Sequence, residues 1–178
     1  GVEVRWALVD VETGELPVAQ FTGLVDGRTR LVAVTAASNL IGTMPDVRAI
    51  ADIAHAAGAQ LWVDGVHYVP HVAVDLDALG ADYFVTSPYK YFGPHTGVLA
   101  ARPEALEELH PDKLTFSYET VPERFELGTL PYEALPGTTA AVDYIASLDP
   151  AGVGPGASRR ERIVAAMHAM DEYELQLR

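Results

Sequence analysis

Residues 31–65 read LVAVTAASNLIGTMPDVRAIADIAHAAGAQLWVDG. Leu31 to Thr35 is a continuous apolar run rich in β-branched residues, which predicts a strand buried on both faces. From about Asp46 to Ala57, the apolar residues Val47, Ile50, Ile53 and Ala54 fall on one side of a helix. Gly58 stands where a helix stop is expected. Gln60 to Val63 is a second apolar strand, and Asp64-Gly65 follows at its carboxyl end. A strand, a helix and a strand joined at this length suit a parallel crossover.

The same alternation extends in both directions. Upstream, Val2, Val4, Trp6 and Leu8 alternate with more polar neighbours and predict a strand over 2–9. A turn at 12–15 follows, and Pro17 is placed to open a short helix through Val25. Downstream come a short helix over 75–79, a strand Tyr83 to Thr86, a strand Val98 to Ala101 and a helix Pro103 to Leu109. After Pro111 the pattern loosens into a loop before a helix over 132–148. A last helix runs from Ser158, with Ile163, Met167, Met170, Tyr173 and Leu177 on one stripe. The pattern is that of an α/β protein with a mostly parallel open sheet covered by helices. Ligands bind such sheets beyond the carboxyl ends of the strands, which here means Asn39, Asp64 and Ser87.

Residues 1–148 form the expected core domain. Residues 149–157, rich in proline and glycine, read as a linker, and 158–178 as a helix leading to a further carboxyl-terminal domain. The chain opens on Gly1 directly before a strand pattern and closes on a helix without a stop signal. The expectation is an internal piece of a longer protein, with a large domain incomplete at both ends.

The 178 residues carry 25 acidic and 12 basic side chains, a formal charge of −13. Such a surface repels phosphate backbones and argues against a nucleic-acid partner. The chain has no cysteine, which excludes disulfides, thiolate metal sites and a cysteine nucleophile within it. No apolar run reaches membrane-span length and no signal peptide opens the chain, so no membrane partner is expected and the cytoplasm is the default location.

Lysine is scarce: only Lys90 and Lys113 occur. Lys90 lies in Ser87-Pro88-Tyr89-Lys90-Tyr91-Phe92-Gly93-Pro94, an aromatic turn directly after an apolar strand. Aromatic surroundings weaken an amine's preference for its charged form, and a neutral amine is what attacks a carbonyl. The plain alternative is a loop lysine lying over aromatic rings. Asp64 follows a buried strand, where a carboxylate is costly unless paired. It is either a partner for a cationic ring nitrogen or a cap for the following turn.

Four stretches, in order and in register, carry a family resemblance. They are Thr35-Ala36-Ala37-Ser38-Asn39-Leu40-Ile41-Gly42-Thr43, then Val63 to His67 with Pro70-His71, Val74-Asp75 and Gly80-Ala81-Asp82, then Ser87 to Pro94, and Arg124-Phe125-Glu126-Leu127-Gly128-Thr129. Over about residues 2–148 the chain resembles the class V aminotransferases, within them the cysteine desulfurase and selenocysteine lyase group. The resemblance implies the large domain of fold-type-I pyridoxal 5'-phosphate (PLP) enzymes and a homodimer acting on a small amino-acid substrate. It implies that Lys90 is the catalytic residue, bonding the cofactor as a Schiff base and moving the substrate's α-proton. Asp64 would pair with the pyridine nitrogen, and Asn39 and His67 would bond the ring hydroxyl. Ser87 and Tyr89 would bind the phosphate, with Gly128 and Thr129 reaching the phosphate of the other subunit. A sulfur-accepting partner protein is compatible with the resemblance, though no residue here points to it.

The chain departs from the family at three positions. His67 stands where the desulfurases carry glutamine, Tyr89 where a histidine precedes the lysine, and Pro88 where glycine is usual. The family's ring-stacking residue lies upstream of Gly1. Its substrate-carboxylate arginine and persulfide cysteine lie beyond Arg178, so this chain alone is expected to be inactive. Transamination or epimerisation on the same scaffold, or a non-catalytic relative used for binding, are the alternatives.

Asp64, His67, His71 and Asp75 also invite a metal reading. Tyr68-Val69-Pro70 argues against the helix that would bring the two histidines together, and no metal is expected. No G-x-G-x-x-G follows a strand, so a nicotinamide or flavin site has no support. Arg124 reads as a salt bridge or a substrate contact, His55 as a rim residue, Glu104, Glu107 and Glu108 as a solvated face, and Tyr132 and Tyr144 as packing residues.

Overall fold

The computed structural model describes residues 1–148, 153, 154 and 156–177. The chain divides into two compact units, Gly1–Pro70 with Val74–Thr86 and His71–Ala73 with Ser87–Arg178. The predicted linker over 149–157 lies largely outside the described residues, as does Arg178.

In the first unit, α1 (Ala19–Leu24), β1 (Leu31–Thr35), α2 (Val47–Ala56), β2 (Gln60–Asp64), α3 (Leu76–Leu79) and β3 (Tyr83–Thr86) follow one another. The strands are parallel in the order β1-β2-β3, with Thr35 in register with Asp64 and Asp64 in register with Val85. Parallel strands finish on the same side, so the carboxyl ends of all three form one rim.

Helix α2 forms where its apolar spacing and caps coincide. The Asp46 side chain accepts a hydrogen bond from the Ala49 N–H at 2.9 Å, satisfying one of the helix's free amino-terminal donors. At the other end Gly58, at φ +78°, donates to the His55 carbonyl while Ala59 donates to that of Ala54. This pair of bonds closes the last turn around a left-handed residue. Val47, Ile50, Ala51 and Ala54 bury against Val32, Val34, Leu61 and Val63, with Phe21 and Phe84 completing the core. Each fully buried side chain such as Ile50 or Leu61 stabilises this unit by about 1.5–3 kcal/mol.

Asp82 fastens helix to sheet. Its Oδ2 accepts from the Leu61 N–H at 2.7 Å and lies 2.9 Å from His55 Nε2. The rim histidine at 55 is therefore tied to a carboxylate.

Two expectations fail in this unit. Residues 2–9 form no strand: Val2 is 93% and Trp6 76% exposed. Alternation makes a strand only where another backbone completes its hydrogen bonds, and Leu8 instead donates its N–H to the Gln20 side chain at 2.7 Å. Strand β1 buries one face rather than two, alternating exposed and buried with Leu31 at 51%. The apolar run carries no polar residue to mark its open face, so its composition hides the alternation.

The second unit carries a 3-10 turn at Pro88–Tyr91, β4 (Val98–Ala101), α4 (Pro103–Glu107), a 3-10 turn at Glu123–Phe125, α5 (Ala134–Ser147) and α6 (Arg159–Gln176). Ala141, Ile145 and Ala146 of α5 and Ala166 and Met167 of α6 are buried, and the two helices pack together. Ser158 and Glu161 cap α6 reciprocally: the Ser158 hydroxyl accepts from the Glu161 N–H, and the Glu161 carboxylate accepts from the Ser158 N–H. The apolar stripe of α6 is covered only in its first half. Met167 is buried, whereas Tyr173 is 62% and Leu177 70% exposed. Among the described residues no helix is long and apolar enough to cross a membrane.

Candidate functional site

Asn39, Asp64 and His67 belong to the first unit. Strand β2 holds Asp64 in place, because Leu61 and Val63 on either side of Trp62 are wholly buried. The Asp64 side chain emerges exposed at the rim, and its Oδ1 accepts from the Val66 N–H at 2.9 Å. The turn-capping alternative is thus present, but it uses one oxygen. Oδ2 has no partner among the described residues. Gly65 behind it faces the ring of Phe84, where a Cβ would come within 1.9 Å of Cζ. Only a residue without a side chain lets β2 turn there.

Asn39 sits exposed in the loop after β1. That loop is closed by Ser38, whose Oγ accepts from the Leu40 and Ile41 N–H groups at 3.3 Å each. His67 lies half-buried in the turn that begins at Gly65, whose carbonyl accepts from the N–H groups of Tyr68 and Val69. The Asn39 amide and the His67 ring make no hydrogen bond among the described residues.

Ser87, Tyr89, Lys90, Gly128 and Thr129 belong to the second unit. Ser87 is extended and precedes the 3-10 turn Pro88–Tyr91, and its carbonyl accepts from the Lys90 N–H at 3.0 Å. Pro88 and Tyr91 are buried, and the turn ends on Phe92 at φ +68°, a left-handed backbone rare outside glycine. The Phe92 ring meets Tyr144 of α5 edge-on at 5.2 Å. This clamp holds Lys90 half-exposed, with Nζ 5.0 Å from the centre of the Tyr89 ring. Lys90 forms no ion pair among the described residues. Gly128 and Thr129 are exposed on the segment after the second 3-10 turn.

Arg124 resolves as a structural ion pair. Its side chain is 11% exposed, its Nη2 lies 2.6 Å from Glu107 Oε2, and its Nη1 donates to the Leu109 carbonyl at 3.1 Å. These bonds fasten the segment that carries Gly128 to the end of α4. Its Nε, and the Thr86 hydroxyl at the end of β3, are buried without a partner among the described residues.

His71 pairs with Glu174 of α6 at 3.0 Å, and among the described residues no three His, Asp or Glu side chains are arranged to hold a metal. Tyr132 and Tyr144 are largely exposed rather than packed, although Tyr144 supplies the edge contact to Phe92. One group escaped the sequence reading: His95 stacks on Tyr89, with ring centres 4.7 Å apart and planes 6° apart. The only sequence signal was an imidazole five residues after Lys90 in the same turn-rich stretch.

The family model described as Aminotransferase class-V matches residues 1–176. An uncharacterized protein of Mycobacterium tuberculosis is 36% identical over 97% of this chain and 43% of its own length. The cysteine desulfurase of Dickeya dadantii is 40% identical over 77% of this chain and 36% of its own. The crystal structure of an Escherichia coli cysteine desulfurase superposes with a TM-score of 0.69 at 29% identity, over 75% of this chain and 37% of that one. The chain spans about two fifths of the length of the relatives it matches.

Proposed function

Because the chain belongs to the class V aminotransferase family, we propose that it carries the cofactor-holding residues of a PLP enzyme acting on an amino acid, with Lys90 bonding the cofactor's aldehyde carbon. The observation that carries this reading is the freedom of Lys90. The other lysine, Lys113, pairs with the Glu119 carboxylate at 2.7 Å. Lys90, in a chain with 25 acidic residues, pairs with none among the described residues. An amine that no carboxylate holds is open to bond a carbonyl carbon.

The donor set fits the cofactor by its chemistry. Asp64 Oδ2 is an open carboxylate oxygen for a protonated ring nitrogen, while Oδ1 is fixed by Val66 and sets the group's orientation. The unengaged Asn39 amide and His67 imidazole suit the ring hydroxyl. Ser87 and Tyr89 supply hydroxyls for the phosphate. When bound, PLP supplies an electron sink for bond cleavage at or next to the substrate's α-carbon. Lys90 Nζ then carries the proton to and from that carbon, and Asp64 keeps the ring nitrogen charged.

The relatives named cysteine desulfurase make cysteine the first substrate to test. The same reading makes the working unit a homodimer, with the exposed Gly128 and Thr129 reaching the phosphate in the other subunit, and locates the enzyme in the cytoplasm. It treats residues 1–148 as the large-domain core and α6 as the lead into a small domain.

The test follows alanine formed from cysteine by the PLP-loaded full-length protein in the presence of a thiol. Turnover is expected in the wild type and absent in Lys90→Ala. In Asp64→Asn the cofactor still binds, while turnover falls by about 10²-fold or more, the scale of a lost charge-assisted contact in a catalytic site. A wild type that gives neither alanine from cysteine nor any change in another amino acid would overturn the reading and favour a non-catalytic relative. Keto-acid formation without alanine would replace desulfuration by transamination.

A further inference from the structure

We propose that His95, stacked on Tyr89, is an oxyanion-binding residue beside Lys90. The proposal rests on the reading that Lys90 holds the cofactor, and it adds a residue to that site.

The Tyr89 ring has two nitrogen groups against it. His95 stacks at 4.7 Å with the planes 6° apart, and Lys90 Nζ lies 5.0 Å from the ring centre. The segment that carries them is held rather than loose. Pro88 is buried, Phe92 meets Tyr144 of α5 edge-on, and Pro94 packs on Gly137 of the same helix, 3.3 Å from where a Cβ would stand. A bond from the Thr96 N–H to the Pro94 carbonyl closes the turn around His95.

Neither Lys90 nor His95 has an ion pair among the described residues, and the Tyr89 hydroxyl has no hydrogen bond there. Tyr89 and His95 are both exposed. In a chain of net charge −13, two basic groups lie against one exposed phenol ring with no carboxylate paired to either among the described residues. With Lys90 given to the cofactor, the imidazole of His95 and the phenol hydroxyl of Tyr89 are both able to donate to oxygen. An anion with several acceptor oxygens satisfies that set, and charge-assisted bonds are the stronger ones.

Two oxyanions meet this description at a PLP site: the cofactor's phosphate and the carboxylate of the amino-acid substrate. The test separates them in the full-length protein by comparing the wild type with His95→Ala and His95→Gln. Dissociation constants are read from visible-absorbance titrations with PLP and with pyridoxal, which lacks the phosphate. The PLP-loaded protein is then titrated with cysteine and with cysteamine, which lacks the carboxylate.

For a phosphate contact, His95→Ala raises the PLP dissociation constant by about tenfold or more, the scale of one charge-assisted hydrogen bond, and leaves pyridoxal unchanged. For a carboxylate contact, the same variant weakens cysteine and leaves cysteamine and PLP unchanged. Either result supports the proposal, and in both His95→Gln falls between Ala and wild type. Unchanged binding of all four ligands overturns it, as does equal weakening of PLP and pyridoxal, which would assign His95 to supporting the ring of Tyr89. A wild type that binds neither PLP nor pyridoxal removes the Lys90 reading itself, an outcome the His95 variants cannot mimic.

Discussion

Asp64 and Lys90 are set in place by opposite physical means. Asp64 ends a strand whose neighbours Leu61 and Val63 are wholly buried beneath α2, so its position is a property of the core. Lys90 stands on a 3-10 turn with exposed rings around it, anchored by Pro88, Tyr91 and the edge contact of Phe92 with Tyr144. The carboxylate is therefore sensitive to packing beneath it, and the amine to a few local clamps. Substitutions near Asp64 are expected to act through stability. Substitutions near Lys90 are expected to act through binding with the fold intact.

The largest stability effect expected of that difference is at Leu61. Leu61→Ala removes a fully buried side chain and is expected to cost about 2–5 kcal/mol in denaturant unfolding. Tyr89→Ala, on the exposed turn, is expected to cost within about 0.5 kcal/mol in the same measurement. Equal losses at the two positions would break the comparison.

Gly65→Ala comes next. Its Cβ would meet the Phe84 ring at 1.9 Å, and forcing that contact is expected to cost about 1–3 kcal/mol. Adding Phe84→Leu is expected to recover part of the loss, measured as a double-mutant cycle. Additive losses would show that the strain lies elsewhere.

A smaller effect belongs to the cap of α2. Asp46→Ala leaves the Ala49 N–H without its side-chain acceptor and is expected to cost about 1 kcal/mol. Asp46→Asn should retain most of that stability.

The smallest is a pH effect on α6. Hydrogen bonds from the Ser158 hydroxyl and then its backbone N–H hold the Glu161 carboxyl below the usual glutamate range. A folded-state value below the unfolded one means the cap is complete above the ordinary glutamate pKa and is lost as pH falls through the depressed value. The helix should therefore lose amide protection on acidification below the ordinary glutamate range. Glu161→Gln should flatten that dependence, and an unchanged pH profile in that variant would remove the cap from the account.

Much of the fold was legible because two local signals agreed. Leu31–Thr35, Tyr83–Thr86 and Val98–Ala101 fall where their apolar runs placed them. Helix α2 ends where Asp46 and Gly58 said it would, since a cap and an apolar face are both written in adjacent residues. Asp64 could be singled out because a carboxylate directly after a buried strand is unusual on local grounds alone.

What was not legible depends on a partner distant in the chain. The alternation at Val2, Val4, Trp6 and Leu8 describes a surface with two faces, but not whether another backbone lies alongside. The open face of β1 and the exposed end of the α6 stripe at Tyr173 and Leu177 are failures of the same kind. Periodicity reports amphipathicity, and what covers the apolar side is a tertiary matter. A salt bridge was one of the two readings of Arg124, but its partner Glu107, like the stack of His95 on Tyr89, is set by loop closure, which no spacing rule encodes.

The central claim is that Lys90 is the cofactor's attachment point. The direct measurement adds PLP to the full-length protein, reduces with borohydride and locates the modified lysine by peptide mass. The account predicts a pyridoxyl group on Lys90 that disappears in Lys90→Ala while the variant's unfolding transition stays that of the wild type. A label on Lys113, or spread over several amines, or no label at all, would contradict it.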